Sequence, residues 1–188
     1  LARHLDAPVF MTINGKGILP PRHPLGLAGN LGMEPLRQEL AACDVTLAIG
    51  TEFGETEMYP EPHPVTVAGE LIRIDIDAAQ LARTPQSGLS IFSSAKTAAA
   101  GMLGFLEGHK VISNGAARAE TARKGSWAEL TPKMQAEVGV IDAIYRTLPK
   151  AIIVGDSTQA VYAGTYYCAA PRPRSWFNAP TGHGPPAL

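Results

Sequence analysis

The densest set of polar groups at a turn lies in Gly155-Asp156-Ser157-Thr158-Gln159. It follows the apolar run Ala151-Ile152-Ile153-Val154 and precedes a helical stretch, so it reads as a strand-to-helix turn. A helix N-terminus leaves backbone N–H groups unpaired and carries positive partial charge. At the carboxyl end of a parallel strand, such a turn is suited to holding phosphate. Ser157 and Thr158 add hydroxyls and Gln159 an amide, which makes Asp156 to Gln159 the candidate anion site. The competing reading is that Asp156 or Ser157 only caps the helix.

Other residues with chemical potential read more plainly. Gly26-Leu27-Ala28-Gly29-Asn30-Leu31-Gly32 has the letters of a phosphate loop but follows no evident strand. A surface loop whose glycines need positive φ is the simpler account. Asp75 and Asp77 stand at a strand end, where carboxylates can receive ribose hydroxyls. Helix capping by Asp77 and solvation of Asp75 explain them more simply. The histidines at 4, 23, 63, 109 and 183 have no Cys, Asp or Glu partner at metal-ligand spacing, and no nucleophile elbow is present. His23 reads as a loop hydrogen-bonder. Glu52, Glu55 and Glu57 read as a solvated acidic face.

The elements that must position these groups alternate along the chain. Val9–Ile13, Val45–Ile49, Leu71–Asp77, Gly88–Phe92, Ala151–Val154 and Ser175–Asn178 read as strands. Within the third, Ile72, Ile74 and Ile76 alternate with Arg73, Asp75 and Asp77. That pattern predicts an edge strand, or a strand end facing a ligand or a neighbouring domain, because a fully buried parallel strand is apolar on both faces. Helices are expected from Leu36 to Cys43, from Ala78, from Ser94 to Leu106 with Met102, Phe105 and Leu106 as its apolar stripe, through Val138–Leu148, and from Gln159 to Ala169. The order predicts an α/β fold, a mostly parallel sheet flanked by helices, followed by a partial second α/β domain. The expected divisions are a Rossmann-like central domain over 1–110, a linker with some helix over 111–134, and a second unit over 135–188.

With 188 residues, 45% hydrophobic and 18% charged, a packed core is expected and global disorder is not. A net charge of −1 with no basic stripe gives no footprint for nucleic acid. No apolar run reaches the ~20 residues of a membrane span, and no signal peptide is visible. Cys43 and Cys168 form no Cys-x-x-Cys unit and read as half-buried thiols in a reducing cytoplasm. Leu1–Asp6 reads as the tail of a helix, and Gly184–Leu188 stops without a closing element, so both ends read as cut.

Several segments together resemble the thiamine-diphosphate enzymes of the acetolactate synthase and 2-oxo-acid decarboxylase superfamily. Ala7–Pro20 with His23-Pro24-Leu25-Gly26 is similar to the opening of their central domain. Cys43–Thr51 and Leu71–Asp77 resemble its next strands. Ala151–Gln159 and Pro171–Trp176 resemble the start of the diphosphate-binding domain. The resemblance implies thiamine diphosphate held through Mg2+, 2-oxo acid substrates, and a homodimer or homotetramer when intact. It also implies that Thr158 and Gln159 contact the diphosphate.

The departures refine that expectation. Members carrying FAD have a basic residue after the Gly-Thr pair, whereas Glu52 stands there in this chain; its charge beside a pyrophosphate would be repulsive. Tight FAD binding is therefore not expected. Gln159-Ala160-Val161 replaces the Gln-His-Gln of acetolactate synthases. Both differences point to a decarboxylase, on an amino-acid-derived oxo acid, over an acetolactate-forming carboligase. A non-catalytic nucleotide-binding module or structural spacer is the alternative from another class. The activating glutamate and the Gly-Asp-Gly…Asn magnesium motif of the family fall outside the chain, so the chain alone is expected to be inactive. Thr181-Gly182-His183-Gly184 resembles the start of the cofactor pocket, but Pro185-Pro186 departs from it, and no role is carried to His183.

Overall fold

A computed structural model describes residues 1–27, 29–58, 65–109 and 111–178. His63, Thr181–Gly184 and the rest of the chain's end lie outside these residues. In chain order the elements are α1 (Ala2–Leu5), β1 (Val9–Phe10), β2 (Gly26–Leu27), α2 (Glu34–Ala41), β3 (Val45–Ile49), α3 (Glu55–Met58), β4 (Glu70–Asp75), α4 (Ala78–Leu81) and β5 (Leu89–Phe92). They continue as α5 (Ala95–Phe105), α6 (Gly115–Glu129), α7 (Pro132–Thr147), β6 (Ile153–Gly155), α8 (Gln159–Tyr167) and β7 (Trp176–Asn178). The class is α/β as expected. Every described strand pair is parallel, in three separate ladders: β1–β2, β3–β4–β5 and β6–β7.

β4 corrects the edge reading. It is the central strand of its ladder, and Arg73, expected on the open face, is 2% exposed. Its guanidinium donates to the Arg83 carbonyl at 2.7 Å and stacks 4.9 Å from the centre of the Phe53 ring. A buried charge persists because these acceptors replace water. By contrast Ile76, just past the strand, is 70% exposed. The capping reading of Asp77 holds, since its Oδ1 accepts from the Ala79 N–H at 2.8 Å. The apolar stripe expected on α5 is covered only in part: the helix has no fully buried residue, Met102 and Leu106 are half-buried, and Phe105 stands almost fully exposed.

The main core joins both halves of the chain. Leu27, Met33 and Leu36 pack with Ala119 and Ala122 of α6, Val138, Ile141 and Tyr145 of α7, Ala163 of α8, and Trp176 of β7. α2 supplies Leu36 and Leu40 at helical spacing. α6 occupies most of the segment read as a linker. One face of it packs: Ala119, Ala122 and Ser126 are buried, and their small side chains let α6 lie against α2. Asn114, at its N-cap, makes no side-chain cap. Asp6 takes that part instead, its Oδ2 accepting from the Ser113 N–H at 3.0 Å and the Gly115 N–H at 3.1 Å. Gly115 is required there, because a Cβ would fall 1.9 Å from the Asp6 carbonyl oxygen.

Candidate functional site

β6 delivers the chain to the Gly155–Gln159 turn, and β7 lies beside it with Gly155 opposite Asn178. Gly155 is buried, and a Cβ on it would meet Val161 Cγ2 at 2.2 Å. Only glycine therefore lets the first turn of α8 fold back against the strand end. Within the turn, the Thr158 N–H donates to the Asp156 carbonyl at 2.7 Å. The Ser157 N–H donates to Asp156 Oδ1 at 2.8 Å. The N-cap is Thr158, not Asp156 or Ser157: its Oγ1 accepts from the Val161 N–H at 3.4 Å. That distance marks a weak cap.

Ser157, Thr158 and Gln159 are exposed and Asp156 is half-buried. Hydroxyl, amide and helix N-terminal groups thus share one open end of α8, a donor set that fits an anionic diphosphate. The single carboxylate, Asp156, is turned onto a backbone N–H. Among the described residues no cluster of His, Cys, Asp or Glu could hold a metal ion.

The other candidates are not brought to this turn. The glycine-rich segment packs at the opposite end of α8. A Cβ at Gly29 would come 2.8 Å from the Tyr166 carbonyl oxygen, and one at Gly32 would come 2.6 Å from the Tyr166 ring. The surface-loop account is corrected accordingly. Gly26 and Leu27 are buried in β2, and none of Gly26, Gly29 or Gly32 has a positive φ. These glycines make room for packing. Asp75 and Asp77 stand at the end of β4, where Asp75 Oδ1 accepts from the Asp77 N–H at 2.9 Å. His23 is buried, and its Nδ1 accepts from the Leu25 N–H at 3.2 Å, in keeping with a loop role.

Two further buried charges had almost no signal in local sequence. Glu57, read as solvated, is 9% exposed, and its Oε1 accepts from the Ile13 N–H at 2.9 Å. Lys16 is also buried, its Nζ donating to the Cys168 carbonyl at 2.7 Å. A lysine between two glycines is the only local hint, and it is weak. Both cysteines are free; Cys168 is buried and Cys43 half-buried. Among the described residues no helix is long and apolar enough to cross a membrane.

A family model described as thiamine pyrophosphate enzyme, central domain, matches residues 1–102. A probable 2-ketoarginine decarboxylase of Pseudomonas aeruginosa is 34% identical over 186 residues, 98% of this chain and 33% of the relative. A probable acetolactate synthase large subunit of Methanocaldococcus jannaschii is 32% identical over 98 residues, 51% of the chain and 16% of the relative. The large subunit of Escherichia coli acetolactate synthase isozyme 1 is 32% identical over 99 residues, 48% of the chain and 16% of the relative. The chain thus spans a third or less of the length of each of these relatives. The chain belongs to the thiamine pyrophosphate enzyme family, matched through its central domain.

Proposed function

We propose that the intact protein is a thiamine-diphosphate-dependent decarboxylase acting on an amino-acid-derived 2-oxo acid. The observation that carries this reading is the 34% identity to the probable 2-ketoarginine decarboxylase along 98% of the chain, through both the central domain and the Gly155–Gln159 turn. The synthase matches cover about half the chain. Thiamine diphosphate, when bound, supplies a carbanion that attacks the ketone and stores the electrons released as carbon dioxide leaves. The part assigned to this chain is one edge of the site. Thr158 and Gln159 donate to the diphosphate, Ser157 adds a hydroxyl, and the α8 N-terminus adds positive potential.

The reading includes Mg2+ bound by parts outside the described residues, and a homodimer or homotetramer. It also includes weak binding of FAD. Glu52 is exposed after Gly50-Thr51, and the Arg73 guanidinium is committed to the carbonyls of Arg83, Pro85 and Thr51. A flavin absorbance band co-purifying in stoichiometric amount would overturn that part.

The identity to acetolactate synthases supports carboligation as a second reading. Product analysis of the intact enzyme separates the two. Incubation with 2-oxo acids, including 5-guanidino-2-oxopentanoate and pyruvate, is expected to yield carbon dioxide and the shortened aldehyde. Acetolactate from pyruvate without free aldehyde would establish the carboligase instead.

A further inference from the structure

The β3–β4–β5 ladder is parallel, and parallel sheets are ordinarily covered on both faces. Register puts Ala48, Arg73 and Ser90 on one face. α4 packs on β4 and β5, and Arg73 bonds from that face to the Arg83 carbonyl just past α4. The opposite face carries Leu47, Ile49, Ile72, Ile74, Leu89 and Ile91. Of these only Ile74 is buried; Leu89 is exposed and the others are half-buried. An aliphatic face so incompletely covered lacks part of its second layer.

α5 is in the same condition. It packs on β4, yet none of its residues is buried. Lys96 is its one charged side chain, and a helix apolar on nearly every side belongs inside a protein. Phe105 is nevertheless 88% exposed. Gly101 and Gly104 lie within the helix, where glycine costs stability. A Cβ on either would meet nothing within 4 Å among the described residues, so no contact there requires them. A further chain packed closely against α5 would require them.

The occupant is indicated by α1. His4 Nε2 donates to the Leu106 carbonyl at 2.9 Å, where α5 ends. Two residues further on, Asp6 reaches the Ser113 and Gly115 N–H groups. The two stretches therefore advance in the same direction, and helical turns ahead of Ala2 would run back along α5 towards Ala95. α5 has 11 residues. At about 1.5 Å per residue, an extension of about ten residues matches its length. Chain to supply it exists in the relatives, since this chain covers only 33% of the Pseudomonas protein it matches almost end to end. We propose that the polypeptide ahead of Leu1 in the intact protein continues α1 as a helix packed along α5, against Phe105 and the two glycines. The proposal does not depend on which substrate the enzyme takes.

Photo-crosslinking of the intact protein reads the contact directly. Phe105→p-benzoylphenylalanine keeps an aromatic ring at an exposed position, and illumination bonds it to whatever lies against it. The expected product keeps the mass of one chain on a denaturing gel, and its peptide map joins Phe105 to the residues just ahead of Leu1. A product of doubled mass would assign the face to a second copy and overturn the proposal. So would a link to residues 59–64, to any residue from 179 onwards, or no link at all. Thermal melts of Gly101→Leu in the intact protein give an independent sign. Against a packed helix the larger side chain clashes and Tm should fall by several degrees. On a bare helix leucine is the better helix former, and a rise in Tm would overturn the proposal.

Discussion

Thr158 separates a helix cap from a ligand contact, because the two roles predict different magnitudes. Its hydroxyl accepts from the Val161 N–H at 3.4 Å, near the limit for a hydrogen bond. Removing a threonine cap costs about 0.5–2 kcal/mol, and so long a bond belongs at the low end. Thr158→Ala should therefore lose about 0.5 kcal/mol, which is roughly 1–2 °C in Tm for a chain of this size. A hydrogen bond to a charged diphosphate is worth about 1.5–3 kcal/mol. Its loss would weaken thiamine diphosphate binding roughly 10- to 150-fold. Calorimetric titration of the intact enzyme with thiamine diphosphate and Mg2+, beside thermal melts of the unliganded form, measures both quantities. The expected outcome is a small Tm change with a large loss of affinity, and recovery of most affinity in Thr158→Ser. Unchanged affinity in Thr158→Ala, with the small Tm loss alone, would show that the hydroxyl only caps α8 and would remove it from the proposed site.

Two further perturbations probe what holds the site in place. Gly155→Ala puts a methyl 2.2 Å from Val161 Cγ2 and should cost about 1–3 kcal/mol by overpacking; adding Val161→Ala should restore much of it, and melts that show simple additivity would contradict the close approach. The Gly115 and Ser113 N–H groups hold the Asp6 carboxyl below its ordinary 3.8, so its stabilisation is full above that value and is lost as pH falls through the lower, folded one. Asp6→Asn suits the left-handed backbone at this position, φ 46, and should remove that acid-dependent part of the unfolding curve; superimposable acid titrations by circular dichroism would rule the cap out.

Much of the fold was legible locally. β3 begins and ends where its apolar run does, and β5 lies within the segment read as a strand. The Asp77 cap and the strand-to-helix turn at Gly155 were equally plain, since periodicity and capping chemistry act over a few residues. The alternation in β4 misled because pattern alone assumes that charge seeks water. Arg73 instead finds carbonyls at Arg83, Pro85 and Thr51, and a ring at Phe53. α6 hid behind its composition. Alanine, serine and glycine read as a tether until Pro35 on α2 is found against Gly125.

The sequence by itself determined the α/β alternation, the family resemblance and the polar turn at the head of α8. Only the tertiary structure decided which charges are buried and which glycines are needed for space. Lys16 meets Cys168 across 152 residues, Asp6 meets Gly115 across 109, and Glu57 meets Ile13 across 44. Helical and strand periodicity reaches only a few residues along the chain. A lysine, an aspartate or a glycine at such a position looks like any surface residue until folding brings its partner to it.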